Sequence, residues 1–155
     1  MVELERSGIA YSAHEFVHDP AERSYGLAAA RAIGVDPDRV FKTLLADVVV
    51  ATGTTLVVGI VPVSTQLSLK ALAAAVGGKR AEMCAPANAE RITGYVVGGI
   101  SPFGQKKRLR TVIDETCLFS DTVFVSGGRR GLDLEISPAA LIGVLDAIVA
   151  NIAVW

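Results

Sequence analysis

Short apolar blocks recur along this chain, and glycine or proline interrupts almost every one of them. Blocks with helical spacing and a capping residue predict helices at residues 2–7, 24–33, 68–77, 86–93 and 137–153. Blocks with strand length and β-branched composition predict strands at residues 11–17, 40–50, 56–63, 80–84, 95–100, 110–114, 122–126 and 132–136. The order of these elements indicates a protein that mixes helices and strands throughout.

Connections of hairpin length outnumber the helical crossovers that a parallel sheet requires. We therefore expect an α+β fold in which a mostly antiparallel, barrel-like mixed sheet is surrounded by helices. A chain of 155 residues, of which 51% are hydrophobic and 20% charged, can bury a full core. The prediction is one domain spanning residues 1–155.

Composition narrows the function classes. No apolar run reaches the roughly 18 residues of a membrane span, and the charged N-terminus does not have the form of a secretory signal. These features predict a cytoplasmic protein without a membrane partner. Two cysteines are too few for a disulfide framework and lack metal-ligand spacing, so we expect neither a metal nor a cofactor. Because the net charge is −1, nucleic-acid contact would need local basic clusters.

The segment 94–108, GYVVGGISPFGQKKR, combines bare backbone with positive charge. Gly98 and Gly99 allow close approach of a ligand to the main chain, and a basic cluster follows directly. The segment resembles a phosphate-binding loop, but Gln105 takes the place of the lysine and no Ser or Thr follows. Nucleotide hydrolysis is therefore rejected, and a site for another anionic ligand remains, beside the plainer interpretation of solvated surface charge.

Lys42 stands alone in the apolar strand predicted at 40–50. Alternation places Lys42 and Leu44 on one face and Phe41, Thr43 and Leu45 on the other. Two interpretations stay open: an edge lysine that discourages aggregation, and a cleft lysine that binds phosphate or stabilises an oxyanion.

Other candidate groups give weaker signals. His14 and His18 have no third ligand nearby and are interpreted as surface or turn residues. The sequence has no serine nucleophile motif, and Cys84 has no strongly activating neighbour. For Ser126 a turn hydrogen bond, and for Asp133 an ion pair with Arg129 or Arg130, are alternatives to a functional role.

Five collinear motifs are more specific than any single residue: HDPAE at 18–22, VFKTL at 40–44, VPVSTQLSLKALA at 61–73, GYVVGGISPFGQKKRL at 94–109 and VSGGRRGLDLE at 125–135. Together they resemble the YbaK/EbsC family of free-standing aminoacyl-tRNA deacylases, over nearly the whole chain. The resemblance implies the editing-domain fold, with the acceptor end of aminoacyl-tRNA as substrate and prolyl-tRNA synthetase as an associated partner. It implies no cofactor and no DNA.

The resemblance also implies roles for individual residues. Lys42 of VFKTL matches the essential family lysine and is the predicted catalytic residue. The predicted substrate pocket comprises Phe16, Tyr25, Thr43, Gly98, Gly99, Ser126 and Asp133. At Phe16 the family often has tyrosine, so any role of that hydroxyl is lost in this chain. Weaker candidates for tRNA contact are Lys106, Lys107, Arg108, Arg110, Arg129 and Arg130.

The implied reaction removes cysteine from tRNA(Pro) by attack of the substrate's own thiol on its ester, which forms a small thiolactone. An internal nucleophile of this kind can be worth an effective molarity of ~10⁵ M or more. The alternatives are a deacylase for Ala-tRNA(Pro) or another aminoacyl-tRNA that uses water, a non-catalytic module that binds tRNA or a synthetase, and a sheet protein without an RNA role.

Overall fold

The computed structural model describes residues 2–22 and 24–155. In chain order, helices α1–α5 are Val2–Arg6, Tyr25–Ile33, Leu69–Ala75, Pro86–Thr93 and Pro138–Leu145. Strands β1–β10 are Ser12–Glu15, Phe41–Val50, Gly53–Pro62, Gln66–Leu67, Arg80–Met83, Arg110–Asp114, Val123–Arg129, Leu132–Ile136, Ile148–Ala150 and Ala153–Val154. Two 3₁₀ helices cover Pro37–Arg39 and Glu115–Phe119. No helix among the described residues is long and apolar enough to cross a membrane.

The strands form a mixed sheet and two antiparallel ones. The largest has the order β5-β2-β3-β6-β9, in which β5, β2 and β3 are antiparallel neighbours and β6 and β9 add in parallel. The second sheet has the antiparallel order β1-β8-β7, and β10 pairs with β4. An isolated bridge between Val40 and Phe124 links the two larger sheets. These observations confirm the predicted α+β fold with a mostly antiparallel mixed sheet.

The largest sheet is covered on both faces, as the alternation along β2 predicts. Phe41 and Leu45 belong to the core shared with the second sheet and with α5. Ala46 and Val48 belong to a core on which α3 packs through Leu72. The helices begin and end at the expected signals: the Ser68 side chain accepts the Ala71 N–H, and glycines in the left-handed conformation end α2 and α4.

The predicted strand at 95–100 is wrong. This segment is a loop because Gly98 has φ +87°, and its neighbours bond locally rather than to a strand. Gly99 N–H donates to the Val96 carbonyl, and Val97 N–H donates to the Glu90 carboxylate at 2.8 Å.

The last predicted helix is too long. It ends at Leu145 because Asp146 takes the left-handed conformation with φ +50°, and the following residues form β9 and β10. The buried Asp114 carboxylate accepts the N–H groups of Ile152 and Ala153, both at 2.9 Å. The apolar spacing of this segment therefore serves two strands that complete sheet edges.

Candidate active site

A cleft of about 430 Å³ opens along one edge of β2. β5 pairs with β2 only over Ala46–Val49, and a last bond joins Cys84 N–H to the Leu45 carbonyl at 3.0 Å. At the other end of the gap lies the Val40–Phe124 bridge. The first half of β2 thus has a strand neighbour on one side only, and the cleft occupies the place of the other.

The side chain of Lys42 is half-buried in this cleft. Its ammonium donates to the Thr65 carbonyl at 2.7 Å, and burial lowers the pKa of the lysine. The turn of the VPVST motif positions that carbonyl, because Thr65 donates both its N–H and its hydroxyl to the Pro62 carbonyl. Lys42 is therefore held inside a cavity, unlike a lysine that extends from a sheet edge into solvent.

Thr43 offers both its backbone and its side chain to the cleft. Val63 N–H donates to the Val40 carbonyl, and Cys84 N–H donates to the Leu45 carbonyl. The backbone groups of even-numbered residues of β2 therefore bond to β3, and those of odd-numbered residues point to the β5 side. The N–H and C=O of Thr43 consequently point to the gap, where β5 does not reach. The Thr43 hydroxyl is out of solvent and has no hydrogen-bond partner among the described residues. Buried polar atoms are rarely left unpaired, so this strand segment is suited to a bound ligand.

An aromatic wall closes one side of the cleft. The Tyr25 ring lies 4.3 Å from the Arg130 guanidinium carbon and 5.6 Å from the His18 ring. Arg130 is held in place because its Nε donates to the Val97 carbonyl at 2.8 Å. Phe16 also lines the cleft, and its N–H donates to the Gly131 carbonyl at 2.9 Å. These contacts position flat groups beside the cavity that Lys42 enters.

The two glycines of the GG pair have different surroundings. Gly98 lines the cleft, and a Cβ added there would lie 2.7 Å from Tyr25 ring atoms. Gly99 is not among the lining residues, and its backbone packs against Arg129 and Arg130. The structure therefore brings Gly98, but not Gly99, to the cavity.

Ser126 and Asp133 face each other across β7 and β8, and both line the cleft. The Ser126 hydroxyl accepts the Gly128 N–H at 3.2 Å, as the turn interpretation expected. Among the described residues Asp133 makes no ion pair with either arginine: Arg129 pairs with Glu15, and Arg130 stacks on Tyr25. Burial raises the pKa of Asp133 to about 7, with a smaller opposing influence from His14.

His18 and Cys84 also line the cleft, although neither was predicted as a site residue. The His18 Nε2 atom is out of solvent and has no partner within residues 2–22 and 24–155. Burial raises the pKa of the Cys84 thiol, which disfavours the thiolate that a nucleophile would need. In the described ranges no three His, Cys, Asp or Glu side chains cluster as a metal site. The only sequence signal for His18 was its place in the HDPAE motif.

Most of the predicted tRNA-contact residues lie away from the cleft. Lys107, Arg108 and Arg110 line a second surface pocket beside the β2–β3 hairpin. Arg110 pairs with Val57 and Lys42 with Val61, so about 13 Å of strand separates their registers. Lys106 packs over Gly94, and Arg129 is exposed. Of this group, only Arg130 lines the cleft.

Two proteins with ascribed deacylase activity are similar to this chain in sequence. The Enterococcus faecalis protein EbsC, to which Cys-tRNA(Pro)/Cys-tRNA(Cys) deacylase activity is ascribed, is 34% identical over 96% of this chain and 88% of its own. The Escherichia coli multifunctional Ser/Thr-tRNA deacylase ProXp-y is 34% identical over 73 residues, 46% of this chain and 44% of its own.

Solved structures share the fold over nearly the whole chain. One described as a trans-editing enzyme for prolyl-tRNA synthetase has a TM-score of 0.82 and 26% identity, covering 99% of this chain and 94% of its own. The protein APE2540, at 22% identity, has a TM-score of 0.83 and covers 97% of this chain and 96% of its own. The model of the aminoacyl-tRNA editing domain family matches residues 20–144. Together with the EbsC relationship, this match confirms the resemblance read from the sequence: the chain belongs to the aminoacyl-tRNA editing domain family.

Proposed function

We propose that this protein is an aminoacyl-tRNA deacylase that removes cysteine mischarged on tRNA(Pro). The observation that carries the proposal is the half-buried ammonium of Lys42, held by the Thr65 carbonyl inside the cleft. A cleft of about 430 Å³ falls in the range of small-ligand pockets and can take an aminoacyl group at the end of a nucleoside. The named activity of EbsC, which aligns with 96% of the chain, supports cysteine as the amino acid.

The proposed mechanism uses the substrate as its own nucleophile. The cysteine thiol attacks the ester carbonyl carbon, a C–S bond forms, and the carbonyl oxygen becomes an oxyanion. The bond to the terminal ribose oxygen then breaks, and the thiol proton is transferred to that oxygen. The products are a small thiolactone and tRNA with a free terminal hydroxyl.

The protein's residues supply position and charge. The ammonium of Lys42 stabilises the oxyanion, and the backbone at Gly98 and Thr43 lies against the ester. The apolar side chains of Phe41, Leu45 and Ile100 exclude water from the reacting atoms. The raised pKa of the Cys84 thiol fits a mechanism in which the enzyme's own cysteine is not the nucleophile.

A deacylation panel tests the proposal. Wild type and Lys42→Ala are assayed with Cys-, Ala- and Pro-tRNA(Pro), and Lys70→Ala, which changes an exposed lysine of α3, serves as the control. We expect the kcat/KM for Cys-tRNA(Pro) to fall on the order of 10²–10³-fold in Lys42→Ala, as for loss of an oxyanion donor. Turnover near that of wild type in a folded Lys42→Ala variant contradicts the proposed role.

A second candidate is a deacylase that uses water on another aminoacyl-tRNA. It is favoured by the 73-residue similarity to ProXp-y, whose name gives Ser/Thr-tRNA as substrate. Because serine and alanine esters carry no thiol, efficient cleavage of either by the wild type supports water as the nucleophile. Binding of tRNA without turnover of any substrate in the panel supports the non-catalytic module.

We also propose that the acceptor end of the tRNA extends from the cleft past Arg130 toward the basic residues near the β2–β3 hairpin. The placement of Lys107, Arg108 and Arg110 in one surface pocket supports this path. Neutralising about three phosphates of single-stranded RNA gives a log–log salt slope of about −2. A salt-independent affinity contradicts phosphate contact.

An associated prolyl-tRNA synthetase is a further proposal, tested by co-purification with that enzyme.

A further inference from the structure

The cleft is lined by one amino group and one carboxyl group that form no ion pair with each other within the described residues. Lys42 and Asp133 both line it, but no ion pair joins them within the described part of the chain. Lys42 is instead bound to the Thr65 carbonyl, and Asp133 lies on β8 beside Ser126 of β7. In a poorly solvated cavity such charges attract strongly, so a fold that keeps them apart leaves both available to a ligand.

Asp133 has no hydrogen-bond partner among the described residues, and only His14 acts on it electrostatically. Its side chain belongs to a residue that is only 7% exposed, and in residues 2–22 and 24–155 its carboxylate accepts no hydrogen bond. His14, its neighbour in the β1–β8 register, is occupied by Glu135 at 3.0 Å. Burial raises the pKa of Asp133 to about 7, which expresses the cost of a charge without compensation. A buried carboxylate of this kind is stabilised by a cationic ligand.

We infer that Asp133 is the specificity residue that binds the α-ammonium group of the aminoacyl ester. This inference rests on the proposed function in that the ligand is an aminoacyl ester. In such a ligand the ammonium nitrogen and the carbonyl carbon are bonded to the same Cα atom. The ligand therefore presents its ammonium group to Asp133 and its carbonyl oxygen to Lys42. Ser126, directly opposite Asp133, supplies a hydroxyl oxygen as a second acceptor for the ammonium. Acyl groups that lack the ammonium are thereby rejected.

Two stable probes test this contact without turnover. One is 3′-cysteinylamino-3′-deoxyadenosine, and the other is its analogue with 3-mercaptopropionyl in place of cysteinyl, which lacks only the ammonium. Calorimetry on the wild-type protein is expected to show at least about 30-fold weaker binding of the second probe, the range for removing one partner of a buried charge pair. In Asp133→Asn we expect the two affinities to agree within about threefold, since the amide carries no charge.

Two further variants control for nonspecific effects. Glu135→Gln removes the same charge from the same strand outside the cleft and is expected to keep the wild-type discrimination. Asp133→Glu keeps the charge and is expected to restore part of the discrimination. Thermal unfolding confirms that each variant is folded.

The possible outcomes separate this inference from the proposed function. If Asp133→Asn discriminates as wild type does, the inference is overturned, and a loss of turnover in that variant then assigns Asp133 to proton transfer. Failure of the wild type to bind either probe also overturns it. An alanyl probe that binds more tightly than the cysteinyl one contradicts cysteine as the substrate. Discrimination by Asp133 on that alanyl probe still supports the ammonium contact.

Discussion

The two halves of β2 are both mainly apolar in sequence, but their surroundings differ. Over Ala46–Val49 the strand is paired on both sides, by β3 and by β5, and its side chains fill a core. From Phe41 to Leu45 the β5 neighbour is missing, and the cleft takes its place. The paired half contributes to a core, whereas the residues of the open half line the cleft. The comparison shows that a site can be built by ending one strand early.

The largest expected effect comes from closing the open half. In Gly98→Ala the new methyl group would lie 2.7 Å from the Tyr25 ring at a residue with φ +87°. We expect the ring to move into the cleft and kcat/KM for deacylation to fall by on the order of 10²–10³-fold. Gly53→Ala is the matched control, because Gly53 also has positive φ but no atom near an added Cβ. Equal losses of activity in both variants would contradict this explanation.

The cost of the unpaired Asp133 should appear as a pH-dependent stability. Since folding raises the pKa of Asp133 from 3.8 to about 7, its contribution is fully present below pH 4 and is lost as the pH rises through 7. Asp133→Asn removes this dependence, so denaturant unfolding at pH 8 should show the variant more stable by up to about 4 kcal/mol, with little difference at pH 4.

Glu135, on the same strand, should affect the pH dependence of stability in the opposite direction, which Glu135→Gln tests. The hydrogen bond from Thr122, with smaller contributions from His14 and Arg39, lowers the pKa of Glu135. Its contribution is therefore present at neutral pH and is lost on acidification.

A stability difference for Asp133→Asn that does not grow from pH 4 to pH 8 would show that Asp133 is not an uncompensated charge.

Removing a core side chain from the paired half should lower the stability of the protein but leave its activity unchanged. Val48 is fully buried in the core below α3, and Val48→Ala is expected to lower the free energy of unfolding by about 2 kcal/mol. The kcat/KM per folded molecule should stay within about twofold of wild type, because the cleft lies on the other half. A much larger loss of activity would mean that the two halves are coupled.

The smallest effect concerns one hydroxyl. Thr43→Val removes an unpartnered buried oxygen and should leave stability unchanged or increase it by up to about 1 kcal/mol, while deacylation weakens. Thr111→Val is the control, because that buried hydroxyl donates to the Leu109 carbonyl at 3.2 Å and its loss should destabilise by about 1 kcal/mol. Chemical denaturation of both variants measures the difference. A destabilised Thr43→Val would indicate a structural role for the hydroxyl.

Local signals predicted much of the fold. Strand β6 and helix α4 have the predicted bounds because proline, glycine and β-branched residues act within a few positions of themselves. The segments 95–100 and 147–153 were predicted wrongly since their conformations depend on distant partners. Gly98 is shaped by Tyr25 and Arg130, and the last strands are fixed by the carboxylate of Asp114.

The candidate site shows the same division. Motif resemblance predicted Lys42, Thr43, Gly98 and Asp133, and all four line one cleft. It did not indicate His18, whose ring enters the wall only because the loop after β1 folds back to Tyr25. It also grouped Gly99 with Gly98, although adjacent residues of a loop face different surroundings.

The sequence by itself determined the family, most of the element types and the candidate residues of the site, because motifs and periodicity are properties of neighbouring positions. The tertiary structure alone decided that β5 stops short of Leu45 and that a cleft opens there. It also decided that the side chains of Lys42 and Asp133 share this cleft without an ion pair between them in the described part of the chain. Pairing and burial join residues that are far apart in the chain, so their geometry follows only from how the sheets close around one core.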